Sequence, residues 1–213
     1  SVPMPSFLPH AIDRMVPAIR ALRLGNGCMA TFHGGNVGNP ALIDDILEHA
    51  DNHGATALTL PYTGFERLAT GAQAIVMDTG RAALATGHHA STSAFEWSCD
   101  DHVVVVNCGK HATDPLWQDL LAATSAHSTV TLGHQDNVPV GALADVDIFR
   151  EDLPRGTMIE VIHNGYQTRN GFIHARKLTL PADGKSFSGV DTLHTAVPPL
   201  TPVDYTVRFH LHP

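Results

Sequence analysis

The chain reads as a mainly β protein: an antiparallel two-sheet β-sandwich preceded by a short helical segment. Three observations carry that reading. From Ala55 onward, strand-like segments recur with turn signals between them: ALTLP, FERLAT, AQAIVMDTG, SAFEWS, HVVVVN, STVTL, TMIEVIHNG, FIHARKLTL, FSGVDTL and YTVRFHLH. The residues before them instead show apolar side chains at helical spacing. Between Gly87 and Gly109, GHHASTSAFEWSCDDHVVVVNCG has the pattern of two half-buried strands joined by a Cys-Asp-Asp turn.

In chain order, Ser6 to Leu24 is predicted helical, with Ile12, Met15, Val16, Ile19 and Leu22 on one face and Pro17 as a kink. Gly25-Asn26-Gly27 is expected to close that helix, and CMATFHGG to form a short strand ending in a glycine turn. A second helix is predicted from Pro40 to His49. Asn39 is its N-cap, Pro40 its first helical residue, and Leu42, Ile43, Ile46 and Leu47 its buried stripe. In the central hairpin, Ser93, Phe95 and Trp97 alternate with small or polar residues, and Val103 to Val106 run on as an apolar strand. If these strands pair across the turn, His89 and Asn107 lie at the same end of the ladder. Asp114 as N-cap, Pro115, and the apolar residues Leu116, Trp117, Leu120 and Leu121 predict one short helix, ending just before His127 opens another strand. The segment GFIHARKLTLPADGKSFSGVDTL reads as a hairpin with Asp183-Gly184 in its turn.

With 213 residues, the chain can bury about 70% of its unfolded surface, enough for a core without covalent staples. A net charge of −8 and the absence of a Lys/Arg cluster argue against nucleic-acid binding. No run approaches a membrane span and no signal pattern opens the chain, so a soluble chain is expected, and its ends read as parts of a longer protein. Cys28, Cys99 and Cys108 form neither a disulfide framework nor a CxxC metal motif. Motifs of α/β-hydrolases, P-loop NTPases, dinucleotide-binding folds and zinc metalloproteases are all missing. Histidine is the outlier, with 15 against 13 Lys plus Arg.

The histidines therefore carry the search for a site. His88 and His89 precede a strand and point to opposite faces, so at most one faces a shared site. His89, Asn107 and His127 could gather as a metal site or as a hydrogen-bonded polar cluster. Asn is a poor zinc ligand, which favours the polar cluster. His210 and His212 would share a strand face, a spacing that chance often supplies.

Taken together, HASTSAFEW, VVVVNCG, AHSTVTL, HNGY, GFIHARKLTL and GVDTL, in this order, resemble the C-terminal domain of heparinase II/III-like proteins, polysaccharide lyases acting on acidic glycans. The resemblance implies an α/α toroid followed by a β-sandwich, with glycan in the cleft between them. It assigns residues 1–55 to the toroid's tail and 56–213 to the sandwich. These lyases cleave by β-elimination: the uronate carboxylate is neutralised, a base takes the C5 proton, and an acid protonates the leaving oxygen. The principal base and acid sit in the toroid, so the resemblance implies that this chain alone is inactive. It selects His89 as the sandwich's catalytic histidine and aligns His89, Asn107 and His127 with a zinc site, zinc being the one cofactor it suggests. Asn107 stands where zinc-binding members have Asp, Ser91 where many carry Asp, and Phe65 where Tyr is frequent. Arg67 and Arg176 are the residues expected to bind the acidic polysaccharide, and the upstream toroid is the expected intramolecular partner. A periplasmic location follows if the chain behaves like characterised relatives. The alternatives are a non-catalytic carbohydrate-binding or structural sandwich, and a metal-storing His-rich module.

Overall fold

The computed structural model describes residues 5–50, 55–80, 89–139, 142–198 and 201–213. Two helices open it, α1 (Phe7–Ala21) and α2 (Pro40–His49). Twelve strands follow: β1 (Thr59–Leu60), β2 (Phe65–Thr70), β3 (Gln73–Asp78), β4 (Phe95–Cys99), β5 (His102–Val106), β6 (Val130–Leu132), β7 (Val146–Leu153), β8 (Gly156–His163), β9 (Phe172–Pro181), β10 (Ser188–Thr195), β11 (Tyr205–Val207) and β12 (His210–Leu211). Helix α3 (Pro115–Ala122) lies between β5 and β6, and a single helical turn, α4 (Gln167–Asn170), between β8 and β9. Among these residues no helix is long and apolar enough to cross a membrane.

The strands form an antiparallel six-stranded sheet, β1-β2-β3-β4-β5-β12, an antiparallel four-stranded sheet, β10-β9-β8-β7, and the small β11-β6 ribbon. The core lies between the two larger sheets. Leu68, Ile75, Met77, Phe95 and Val105 come from one, and Val146, Ile159, Val161, Leu178 and Leu180 from the other. The larger sheet is covered on its other face too, where Leu24 and Phe32 pack on Val76 and Ala94. Burial on both faces explains why every residue of β3 is buried although a one-sided strand would alternate.

Local chemistry explains most element boundaries. The Asn39 and Asp114 side chains each accept a backbone N–H two residues on, and a proline fills the first helical position of α2 and α3. Helix α1 continues through Pro17 and stops at Ala21, so Gly25-Asn26-Gly27 does not close it. That triplet instead turns a short bridge, Arg23 opposite Met29, and the segment around Thr31 has no regular structure and joins no ladder. Gly25 is required where it sits, because the Asp100 carbonyl oxygen lies 1.6 Å from where a Cβ would be.

The central hairpin forms, with one irregularity. Trp97 opposes Val105 and Ser98 opposes Val103, so Val104 is an extra residue bulging from β5. Ser93 lies outside the strand, at φ 65°, in the turn leading to β4. The predicted strand YTVRFHLH splits at Arg208-Phe209 into β11 and β12, which join different sheets. Strand β7 was not predicted. Its inward Val146 and Ile148 are interrupted by Asp147, Phe149, Arg150 and Glu151, a charge density that masks the alternation.

The expected buried stripes of the helices are only partly buried. Val16 and Ile43 are enclosed, but Met15 (59% exposed), Leu42 (57%) and Ile46 (47%) are on the surface, as are Leu116, Trp117 and Leu120 of α3. The helical periodicity is real. The described residues do not cover the faces it defines.

Candidate functional site

The site begins with a carboxylate that no motif singles out. Glu96 on β4 points away from the sandwich core, where alternation predicts solvent, yet the segment at Thr31 roofs that face and Glu96 is buried. Its Oε1 accepts four hydrogen bonds: from Thr31 N (2.9 Å) and Oγ1 (2.7 Å), and from Asn107 N (3.1 Å) and Nδ2 (2.8 Å). Burial raises the Glu96 pKa, and these donors oppose the rise.

Asn107 follows β5 directly, at the end of the ladder expected for it. With its amide N–H on Glu96, its Oδ1 is 2.8 Å from His127 Nδ1 and accepts from it. The His127 ring is fully buried and lies 5.3 Å, centroid to centroid, from the His89 ring. Burial and the neighbouring His89 lower the His127 pKa to about 3, so its imidazole is neutral. His127 Nε2 takes no hydrogen bond among the described residues.

His89 is also buried and is held by its backbone. Its N–H donates to His33 Nδ1 (3.1 Å), and the next residue, Ala90, bonds to Ala122 O (2.8 Å) and accepts from Thr124 Oγ1 (2.8 Å). His33 Nε2 faces Asp78 Oδ2 at 3.3 Å. Burial alone would lower the His33 pKa, but the Asp78 carboxylate outweighs it and raises it. Burial would likewise raise Asp78, yet His33, the Ser91 hydroxyl (2.5 Å) and the Gly80 amide (2.7 Å) hold it below the ordinary range. Ser91, which departs from the expected Asp, thus supports a neighbouring carboxylate. Phe65 packs at a tilt against Phe32 and His33, with centroids at 5.2 and 5.9 Å.

The structure therefore brings His89, Asn107 and His127 together and adds His33, Asp78, Glu96 and Thr31 around them. His88 lies outside the described residues. His33 was legible only as a histidine before a Gly-Gly turn; Glu96 and Asp78 were legible only as acids ending or interrupting apolar strands.

The two arginines expected to meet substrate are spent internally. Arg176 is buried and forms a two-pronged pair with Asp191 (Nε 2.7 Å, Nη2 2.8 Å), while Nη1 donates to Ser93 O and Ser128 O. Arg67 is half-buried, and its Nη1 caps the carbonyls of Ala21 (2.8 Å) and Arg23 (2.6 Å) where α1 ends. Arg176 adjoins a second buried histidine chain. The Gly165 N–H faces His163 Nδ1 (3.3 Å), His163 Nε2 meets His174 Nδ1 (2.9 Å), and His174 Nε2 meets Asp191 Oδ1 (2.8 Å). The order assigns each proton, since Asp191 must accept and each ring then donates onward from Nε2. His210 and His212 do not act as a pair: His210 bonds Ser125 O, and His212 lies beyond β12.

The donor set does not fit the zinc the resemblance implies. Asn107 Oδ1 is occupied by His127 Nδ1, and the described residues contain no group of three or more His, Cys, Asp or Glu placed to share an ion.

Two facing antiparallel sheets over one core, with buried imidazoles where the hairpin ends, make up a β-sandwich with a polar site at one end. Residues 52–213 match the family described as heparinase II/III-like, C-terminal, and the chain belongs to that family. It resembles a solved heparinase III gene product (TM-score 0.73, 13% identity), covering 91% of this chain and 34% of that one. The heparan sulfate lyase HepC of Pedobacter heparinus gives a TM-score of 0.67 at 16% identity, over 88% of this chain and 33% of that one. FtsZ-localized protein C of Caulobacter vibrioides is 29% identical over 235 aligned residues, 99% of this chain and 40% of that protein. The chain thus spans about a third to two fifths of the proteins it resembles.

Proposed function

We propose that this chain is the glycan-facing sandwich part of a polysaccharide lyase that cleaves uronate-containing polymers by β-elimination, and that it has no turnover alone. The observation that carries the reading is the placement of His89: a buried imidazole fixed through its own backbone and packed beside a neutral His127. A ring held this way can donate to a uronate carboxylate as charge develops at C5, without reorganising at that moment. The proton-abstracting base and the leaving-group acid belong, on this reading, to an upstream helical domain of which residues 1–55 are the tail. The exposed Met15, Leu42 and Ile46 on α1 and α2 support that arrangement as the face the domain covers. Family membership supports the substrate class, an acidic polysaccharide.

A second reading has its own observation. Arg67 and Arg176 are engaged internally, and a relative matched along nearly this whole chain is named for localising with FtsZ, which favours a non-catalytic sandwich in a partner-binding protein. The test is a time course of unsaturated-uronate absorbance with heparin-like, chondroitin-like and alginate-like polymers, comparing the full-length parent with this chain. Product from the parent alone is expected. Product from this chain alone would sink the division of labour, and none from either would favour the non-catalytic reading.

A further inference from the structure

We propose that the sandwich site works without a metal and that Glu96 is its positioning residue, holding His127 through Asn107 as the Nδ1–H tautomer with the Nε2 lone pair directed into the site. The argument is a chain of donors and acceptors. Glu96 Oε1 accepts from both N–H groups of Thr31 and Asn107 nearest to it and from the Thr31 hydroxyl, so it is a pure acceptor. An acceptor 2.8 Å from the Asn107 side chain selects Nδ2 for that side and turns Oδ1 the other way. Oδ1 can only accept, so the His127 nitrogen 2.8 Å from it carries the proton. Nε2 is then the unprotonated nitrogen, buried, with no donor on it among the described residues.

Glu96 thus does through hydrogen bonds what a bound cation would do through coordination: it fixes the orientation of two buried polar side chains. Asn107 is occupied on both sides of its amide and stands behind His127 as a support. Its replacement by Asp would change that. The carboxylate would face Glu96 at the distance the amide now spans, a repulsion that either a shared proton or a divalent cation relieves.

The site residues are those of the proposed function, but the test uses no substrate, so loss of the lyase reading would leave it standing. The full-length protein is equilibrated with excess zinc, freed of unbound metal, and its metal content measured. Its histidine tautomers are read by 15N-detected NMR. The wild type is expected to retain no stoichiometric zinc and to show His127 protonated at Nδ1. Asn107→Asp is expected to melt lower in chelator, and to gain both about one equivalent of zinc and a higher melting temperature when zinc is added. Glu96→Ala is expected to give a mixture of His127 tautomers, because the Asn107 amide is then free to flip, whereas Thr31→Ala leaves the tautomer unchanged. One equivalent of zinc in the wild type would overturn the proposal and make Asn107 the support of a zinc-ligating His127. A wild-type His127 protonated at Nε2 would overturn it as well, and both wild-type readouts stand if the variants fail to fold. If Asn107→Asp folds and binds no zinc, Asn107 is not what bars the metal, and that half of the proposal falls.

Discussion

At the scale of single residues, the buried imidazoles set how stability depends on pH. Burial lowers the pKa of His163 far below its ordinary value, aided by His174 and Arg176, and lowers His174 and His127 as well. The unfolded chain therefore binds protons near pH 6.5 that the folded chain refuses, so stability falls as pH drops below about 6.5 and continues to fall toward the folded values. Each such group contributes up to about 1.4 kcal/mol per pH unit in that window. His33 has the opposite sign: its raised pKa adds stability below its unfolded value, which is lost as pH rises through the folded one. Three lowered groups outweigh it, and a urea midpoint that declines between about pH 7.5 and 5 is expected. A flat midpoint there would contradict neutral burial of these rings. Asp191, held well below the usual carboxylate range despite burial, by His174 and Arg176, adds a further loss below about pH 4. Arg176→Ala strands that carboxylate and is expected to cost about 3–5 kcal/mol by urea denaturation, the price of breaking a largely buried pair. The sequence showed Arg176 as a cation on a strand. What it pairs with is set by the β9–β10 register, which puts Arg176 directly opposite Asp191.

At the scale of elements, boundaries written in local chemistry were legible and faces written in tertiary contacts were not. The start of helix α2 was readable, because an Asn cap and a proline fix it whatever surrounds it. Asn39→Ala and Asp114→Ala should each cost about 1 kcal/mol, measurable by thermal or urea unfolding. The pairing of β4 with β5, which carries Asn107 to one end of the ladder, was likewise readable from the hairpin turn; the positions of His33 and His127 were not. Glu96 was not, because its burial depends on a segment some 65 positions earlier in the chain. Nor was the use of Gly25-Asn26-Gly27, where a glycine read as a helix stop exists to let the Asp100 carbonyl approach. Gly25→Ala is expected to destabilise by about 1–3 kcal/mol, by overpacking against backbone that has no rotamer to yield. A neutral result would mean the turn lifts off the sheet freely.

For the whole molecule, the exposed helical stripes make a contrast that can be measured. Met15→Glu and Ile46→Glu change groups that are on the surface here, so each should shift the stability of this chain by no more than about 0.5 kcal/mol. In the full-length protein the same substitutions should lower stability and speed limited proteolysis between the helical and sandwich parts, if the upstream domain rests on them. Equal effects in both would remove the helices from that interface.

The roof over the six-stranded sheet also bears on where this protein can be cut. The family match begins at residue 52, and a fragment started there would look like a complete module on paper. It would lack Leu24 and Phe32, baring the apolar patch around Val76 and Ala94, and it would lack Thr31, taking two of the four donors from Glu96. Recombinant pieces that begin at the homology boundary should therefore be prone to clump, while pieces retaining the stretch from about Leu22 should stay in solution. The unit marked by homology and the unit that covers its own sheet differ here by the stretch from about Leu22 to the end of α2.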